Sequence, residues 1–303
     1  MDFKPFLTQE MLNEAYLVDA LKWFKPLGDH IAAHHDGAGN CFYMGVNGAQ
    51  GSGKSTFSAF IAYYLNRYKG KHCVVLSLDD FYLSQSDRLA LSIKAHPLLR
   101  TRGVPGTHDV NLIAKTLKRL NQYGTLSIPR FDKATDNPKP VNEWPIVNTP
   151  VDVVIFEGWC WGVSPQTQTE LLTPINKMEY EHDALGNWRN YVNHQLGTEY
   201  QGVHEMMDYW VMLKAPSFAC VEAWRAEQEH KLRARYINYQ AHNSTDIDGI
   251  PSAIMTDEQI KSFVMLFQRL TQHSLTTLPA QADCVYELDQ QRRILSSQAN
   301  FYD

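Results

Sequence analysis

Two hydrophobic rhythms alternate along this chain. Short runs that are almost wholly apolar occur at Cys41-Phe-Tyr-Met-Gly-Val46, Val74-Val-Leu-Ser-Leu78, Val151-Asp-Val-Val-Ile-Phe156, Trp210-Val-Met-Leu213 and Cys284-Val-Tyr-Glu-Leu288. Such runs predict short strands buried on both faces. Between them apolar residues return at every third and fourth position: Phe57, Phe60, Ile61, Tyr64 and Leu65; Val110, Ile113, Leu117 and Leu120; Ile260, Phe263, Val264 and Phe267. Those stretches predict helices with one inward face. A leading helical segment over 10–33 carries Leu12, Tyr16, Leu17, Leu21 and Phe24 and is interrupted near Pro26. Gly37 to Asn40 reads as a turn. Ser217 is placed to cap a charged helix running to about Tyr236, and Thr256-Asp-Glu-Gln259 is a capping-box pattern before the last helix.

Buried strands alternating with helices predict an α/β fold, a doubly wound parallel sheet with helices on both faces. Residues 162–205, rich in Trp, Tyr, Asn and His, break the alternation and predict a helical insertion or substrate cap. The stretches 132–148 and 238–255 read as loops. Neither is a long polar linker, so residues 1–303 read as one elaborated domain.

Composition narrows the class. The chain has 303 residues, 44% hydrophobic and 20% charged, which excludes a disordered or fibrous protein. A net charge of −5 argues against a nucleic-acid partner, because duplex binding rests on phosphate neutralisation. No uncharged apolar stretch reaches the ~18 residues of a spanning helix, so no membrane partner is expected. The start, MDFKPFLTQEML, lacks the basic and apolar regions of a signal peptide. Five cysteines (Cys41, Cys73, Cys160, Cys220, Cys284) stand far apart without a CxxC pair and read as reduced, mostly buried thiols. A cytoplasmic location is therefore expected. No feature of the sequence specifies an oligomeric state.

The segment between the first strand and the first long helix changes the picture. Gly48-Ala49-Gln50-Gly51-Ser52-Gly53-Lys54-Ser55 matches the pattern G-x-x-x-x-G-K-[ST], and Thr56 follows it. Glycines let the backbone curl so that successive N–H groups face one polyphosphate. The helix starting near Lys54 adds its positive end. Lys54 can reach β- and γ-phosphates, and the Ser55 hydroxyl can ligate Mg²⁺. A glycine-rich turn without a ligand is the plainer alternative. The strand before and the amphipathic helix after supply the context that phosphate binding requires, so ATP and Mg²⁺ are the expected cofactors.

A triphosphate site also needs carboxylates. Asp79 and Asp80 follow the second strand, and Glu157 follows the third. Ligands of doubly wound sheets sit at the carboxyl ends of strands, the edge that holds the loop. Asp79 is the candidate for a catalytic or metal role. Asp80, pointing elsewhere, reads as a cap or loop residue. Glu157 is a candidate ligand of metal or water.

Taken together, Gly48–Thr56, Leu76-Ser-Leu-Asp-Asp-Phe-Tyr-Leu83, Arg102-Gly-Val-Pro-Gly-Thr-His-Asp109, Pro129-Arg-Phe-Asp-Lys133 and Phe156-Glu-Gly-Trp159 resemble the P-loop glycerate kinases. That family is similar in turn to uridine kinase, phosphoribulokinase and the bacterial pantothenate kinases. The resemblance runs from about residue 40 to the C-terminus. It implies the P-loop NTPase fold and transfer of the γ-phosphate of ATP to a hydroxyl of D-glycerate, giving 3-phosphoglycerate. It implies that Asp79 acts on the acceptor hydroxyl and that Glu157 helps hold Mg²⁺ and water. It implies lid arginines in the region of Arg225, Arg233 and Arg235. The plant glycerate kinases carry Gly-Arg-Gly-Asp-Arg soon after Asp-Lys, whereas here Lys133 is followed by Ala-Thr-Asp-Asn-Pro-Lys-Pro.

An acceptor such as glycerate needs a fixed cation for its carboxylate, and the planar fork of arginine grips both oxygens best. Arg102, His108, Arg130 and Lys133 are the candidates. Each has a plainer alternative: His108 as a turn residue, Arg130 paired with Asp132, and neighbouring Asp109 as a helix cap. Trp159, Trp161, Trp188 and Tyr191 can wall the site or simply pack. Two rival functions stand beside the first: a kinase for pantothenate, a nucleoside or a phosphopentose, and an ATP-driven switch or assembly factor.

Overall fold

The five apolar runs become the parallel strands of a single six-stranded sheet in the computed structural model, which describes residues 1–34, 41–227, 230 and 256–299. Three helices lead: α1 (Lys4–Gln9), α2 (Glu14–Trp23) and α3 (Lys25–His34). Then come β1 (Phe42–Gly48), α4 (Lys54–Tyr68), β2 (Cys73–Ser77), α5 (Gln85–Lys94) and α6 (Val110–Leu120). Four short strands follow, β3 (Gly124–Ser127), β4 (Phe131–Asp132), β5 (Asn137–Pro138) and β6 (Ile146–Thr149), before β7 (Val153–Gly158). Helices α7 (Gln168–Leu171), α8 (Lys177–His182), α9 (Asn187–Gly197) and α10 (Gln201–His204) precede β8 (Tyr209–Lys214). A helix α11 over 218–227, α12 (Asp257–Thr277), β9 (Cys284–Leu288) and β10 (Ile294–Ala299) complete the described chain.

The sheet order is β10-β9-β8-β1-β7-β2. β1 pairs in parallel with β7 on one side and β8 on the other, with Val46 opposite Glu157 and also opposite Val211. Both faces are covered, which is why the strands are apolar throughout. On one face Met44, Val46, Val153, Ile155, Val211 and Leu213 meet Phe57, Phe60, Ile61 and Leu65 of α4, backed by the leading helices. On the other, Tyr43, Leu76, Val154 and Phe156 meet Ile113 and Leu117 of α6, Trp188 of α9 and Phe267 of α12. Each such buried side chain contributes roughly 1.5–3 kcal/mol.

Helix ends follow the local chemistry. Asp109 caps α6 by accepting from the Leu112 N–H, so that acid is structural. Thr256 and Gln259 form the reciprocal capping box of α12. Pro26 sits in the first turn of α3, where its missing N–H has no partner to lose, so the leading segment is divided into separate helices.

Some elements differ from the sequence reading. β10 runs antiparallel to β9 at the sheet edge, with Leu295 exposed. An edge strand has one neighbour and needs no apolar run, so its pattern was silent. The stretch 132–148 holds β5 and β6, which pair antiparallel with β4 and β3. Residues 162–205 hold α7 to α10. Their polar residues are partly internal fasteners: Arg269 of α12 bonds both oxygens of fully buried Glu179 at 2.7 and 2.6 Å, and Arg189 pairs with Asp183 at 3.0 Å. The turn at 37–40, the continuation of α11 to Tyr236 and the loop 238–255 lie outside the described residues. Among the described residues no helix is long and apolar enough to cross a membrane.

Candidate active site

The glycine-rich loop joins the carboxyl end of β1 to α4. Gly51 and Gly53 take φ of 78° and 91°, the left-handed region where a side chain is strained. A Cβ on Gly48 would stand 2.5 Å from the Ser52 Oγ. With Gly53 as N-cap, no side chain caps α4, so its first N–H groups are left for something else. Ser52 Oγ and Gln50 Oε1 are likewise buried without a hydrogen-bond partner. A buried helix start with unmet donors and a positive end is a site built for an anion.

Sheet order brings acids to the same edge. Glu157 lies inside β7, opposite Val46 of β1 and Ser77 of β2, rather than just after the strand. It is 4% exposed. Its Oε1 accepts from the Ser55 Oγ at 2.9 Å, and Lys54 Nζ stands 3.7 Å from Oε2. That second oxygen has no hydrogen-bond partner. A hydroxyl and a carboxylate whose second oxygen is buried and orphaned form a hard donor set of the kind Mg²⁺ takes, and Mg²⁺ commonly draws its other ligands from phosphates and water. Accordingly, among the described residues no three His, Cys, Asp or Glu side chains converge as a metal site.

Asp79 and Asp80 lie in a 3₁₀ turn, Leu78–Phe81, just past β2, and their side chains diverge. Asp80 accepts from the Phe131 N–H at 3.1 Å and from Arg130 at 3.4 Å, anchoring the start of β4. Burial raises its proton affinity. Asp79 faces the cleft. Its Oδ1 accepts from the Tyr82 hydroxyl at 3.0 Å and its Oδ2 from Lys133 Nζ. Burial alone would raise its pKa, but the charges of Lys133 and Lys54 outweigh that and hold it at about 2. Lys133 is the first residue of the β4–β5 turn and its side chain is 58% exposed. An ion pair that open to water contributes roughly 0–1 kcal/mol.

These groups share a cleft of about 340 Å³. It is lined by Gln50, Gly51, Lys54 and Ser55 at the loop and helix start, by Asp79, Tyr82, Arg102 and Lys133, and by Trp159, Arg225, Phe263 and Phe267. Arg102 is held by Asp136 and lies over the Phe131 ring, 5.8 Å from its centroid. Asp136, at φ 55° in the β4–β5 turn, also pairs with the fully buried Arg88 at 2.6 Å. Arg225, on α11, lies 5.7 Å from the Phe263 ring centroid. Arg233 and Arg235 fall outside the described residues. A larger cavity of about 560 Å³ near Gly162, Trp210 and Leu278 holds no comparable gathering of cations and acids. Chemistry, not volume, singles out the smaller one.

Two expected acceptor residues lie elsewhere. His108 is buried, stacked on Tyr82 at 4.5 Å between centroids, with Nδ1 2.6 Å from the Tyr200 hydroxyl. Burial lowers its pKa to about 3 against the pull of Asp79, so it is neutral near pH 7 and offers no charge to an anion. Arg130 turns to Asp80 and the Pro129 carbonyl, neither to the cleft nor to Asp132. Of the four aromatic candidates, Trp159 lines the cleft, while Trp161 and Trp188 are buried in the core. Tyr191 is half-buried near Gly106. Sequence reasoning missed Tyr82, Asp136, Phe263 and Phe267. The two phenylalanines carried only the signal of an inward helix face.

Known proteins similar to this chain are kinases. The Phosphoribulokinase / Uridine kinase family matches residues 43–168. An uncharacterized kinase of Schizosaccharomyces pombe is 33% identical over 206 residues, covering 65% of this chain and 73% of its own length. The chloroplastic D-glycerate 3-kinase of Arabidopsis thaliana is 28% identical over 248 residues, 78% of this chain and 48% of its own. This chain thus spans about half of that relative. The solved structure of a D-glycerate 3-kinase from Cryptococcus neoformans is similar with a TM-score of 0.68 at 25% identity, covering 91% of this chain and 98% of that one.

Proposed function

This chain belongs to the phosphoribulokinase/uridine kinase family of P-loop kinases, and from that premise we propose that it transfers the γ-phosphate of ATP to a hydroxyl of a small organic acid, D-glycerate becoming 3-phosphoglycerate. The family implies ATP, typically with Mg²⁺. One observation carries the acceptor: the cleft that opens from the phosphate loop is lined by a carboxylate, Asp79, and by two cations beyond the loop, Lys133 on Asp79 and Arg102 on Asp136. Similarity to the two D-glycerate 3-kinases supports the same acceptor.

In this reading the N–H groups of Gly48 to Ser55 and the Ser52 hydroxyl take the phosphates, Lys54 bridges the β- and γ-groups, and Thr56 belongs to the same binding segment. Ser55 and Glu157 would hold Mg²⁺, which would supply charge to neutralise the phosphates. The acceptor oxygen attacks the γ-phosphorus, the β–γ bridging bond breaks with its electron pair leaving on ADP, and the hydroxyl proton passes to Asp79. Arg225 is set to steady charge on the transferring group. Such a loose transition state asks mainly for alignment and charge stabilisation.

The test is an acceptor panel with Mg-ATP: D-glycerate, pantothenate, uridine and a phosphopentose, followed by ADP release and product NMR. D-glycerate is expected to exceed the others at least about tenfold in kcat/KM, with the phosphate on the 3-hydroxyl. Release of ADP that no small hydroxy acid stimulates would end the reading.

A further inference from the structure

We propose that Lys133 is a latch on Asp79 that an acidic acceptor opens by charge exchange, so that the acceptor's carboxylate promotes transfer as well as anchoring the substrate. The proposal rests on the reading of Asp79 as the group that receives the hydroxyl proton.

Both oxygens of Asp79 are engaged, Oδ1 by the Tyr82 hydroxyl and Oδ2 by Lys133. Each oxygen keeps a second lone pair for an incoming hydroxyl, but the Lys133 ammonium on Oδ2 crowds that approach and stabilises the charged carboxylate against taking a proton. Tyr82 is poorly placed to move. It is 6% exposed, stacked on His108 and edge-on to Phe131. Lys133 sits at a turn with its side chain 58% exposed, and ion pairs this open are weak. A second carboxylate arriving in the cleft can take the ammonium over, charge for charge. Arg102, steadied by Asp136, lines the same cleft and offers that carboxylate a second contact.

A neutral polyol has no charge to exchange, nor has water. Each meets an Asp79 whose outer oxygen is still shared with Lys133. The same contact therefore selects against neutral acceptors and restrains attack by water on the γ-phosphorus, which would form inorganic phosphate and ADP. Arg130 and Asp80, the neighbouring pair, fix the start of β4 and leave Lys133 free to swing from it.

The test compares D-glycerate with glycerol, which keeps two of the hydroxyls and replaces the carboxylate by a third, in the full chain and in Lys133→Met. Wild type is expected to favour D-glycerate by at least about 100-fold in kcat/KM. In Lys133→Met, turnover of D-glycerate should fall at least about tenfold while that of glycerol and idle ATP hydrolysis each rise about threefold or more. Lys133→Arg keeps the charge and should restore the wild-type order of acceptors. A loss on D-glycerate with no gain on glycerol or water would show a grip without a latch and overturn the proposal, leaving glycerate transfer intact. A wild type that phosphorylates no organic acid would overturn the function beneath it as well.

Discussion

On the phosphate-loop side of the cleft polar groups stand without partners, while on the acceptor side the charges are already answered. Ser52 Oγ, Gln50 Oε1 and Glu157 Oε2 are buried and unbonded, and α4 begins uncapped. On the acceptor side Lys133 meets Asp79 and Arg102 meets Asp136. The first side is largely preorganised: its backbone donors and the Ser52 hydroxyl are open, and only the contacts of Ser55 and Lys54 with Glu157 must rearrange around a ligand. The second works by exchange, since a ligand must outbid an existing partner. Binding at the first should tolerate chemical variety in the remainder of the nucleotide, whereas the second can discriminate by charge.

The comparison can be broken or sharpened by substitution. The largest effect is expected from Lys54→Ala, which removes the one side-chain cation of the loop: kcat/KM should drop at least about 1,000-fold in a coupled ADP-release assay. Turnover near that of wild type would mean the unpartnered wall is not the nucleotide wall. Asp79→Asn comes next. It keeps the shape but cannot take a proton, so kcat should fall at least about 100-fold while calorimetric affinity for ADP stays within about threefold. Equal losses in both would place Asp79 on the nucleotide side instead. The smallest effect is expected from Arg130→Ala, because its guanidinium is spent on Asp80 and a carbonyl. Activity should remain within about threefold, with about 1 kcal/mol lost in urea unfolding. A fall of two orders of magnitude would bring Arg130 into the acceptor site after all.

The difference between the walls also explains what was readable in advance. The loop is one continuous run of eight residues, Gly48 to Ser55, whose geometry is set by its own glycines and by the helix it starts. Local chemistry therefore announced it. Asp79 and Glu157 could be placed beside it because parallel strands bring their carboxyl ends to one edge. The acceptor wall has no such rule. Arg102, Lys133 and Asp136 come from separate polar stretches, and equally polar neighbours, Arg130 and His108, were turned away by a single carboxylate and a single tyrosine hydroxyl.

By itself the sequence determined the buried strands, the helices between them, the phosphate loop and the acids at its edge, because periodicity and backbone freedom are properties of neighbours along the chain. Tertiary structure alone decided which cations face the cleft, that α12 lends it Phe263 and Phe267, and that Lys133 covers Asp79. Those outcomes depend on how charges far apart in sequence compete for a few partners at short range. Such competition is settled by distance and burial, which only the folded chain supplies.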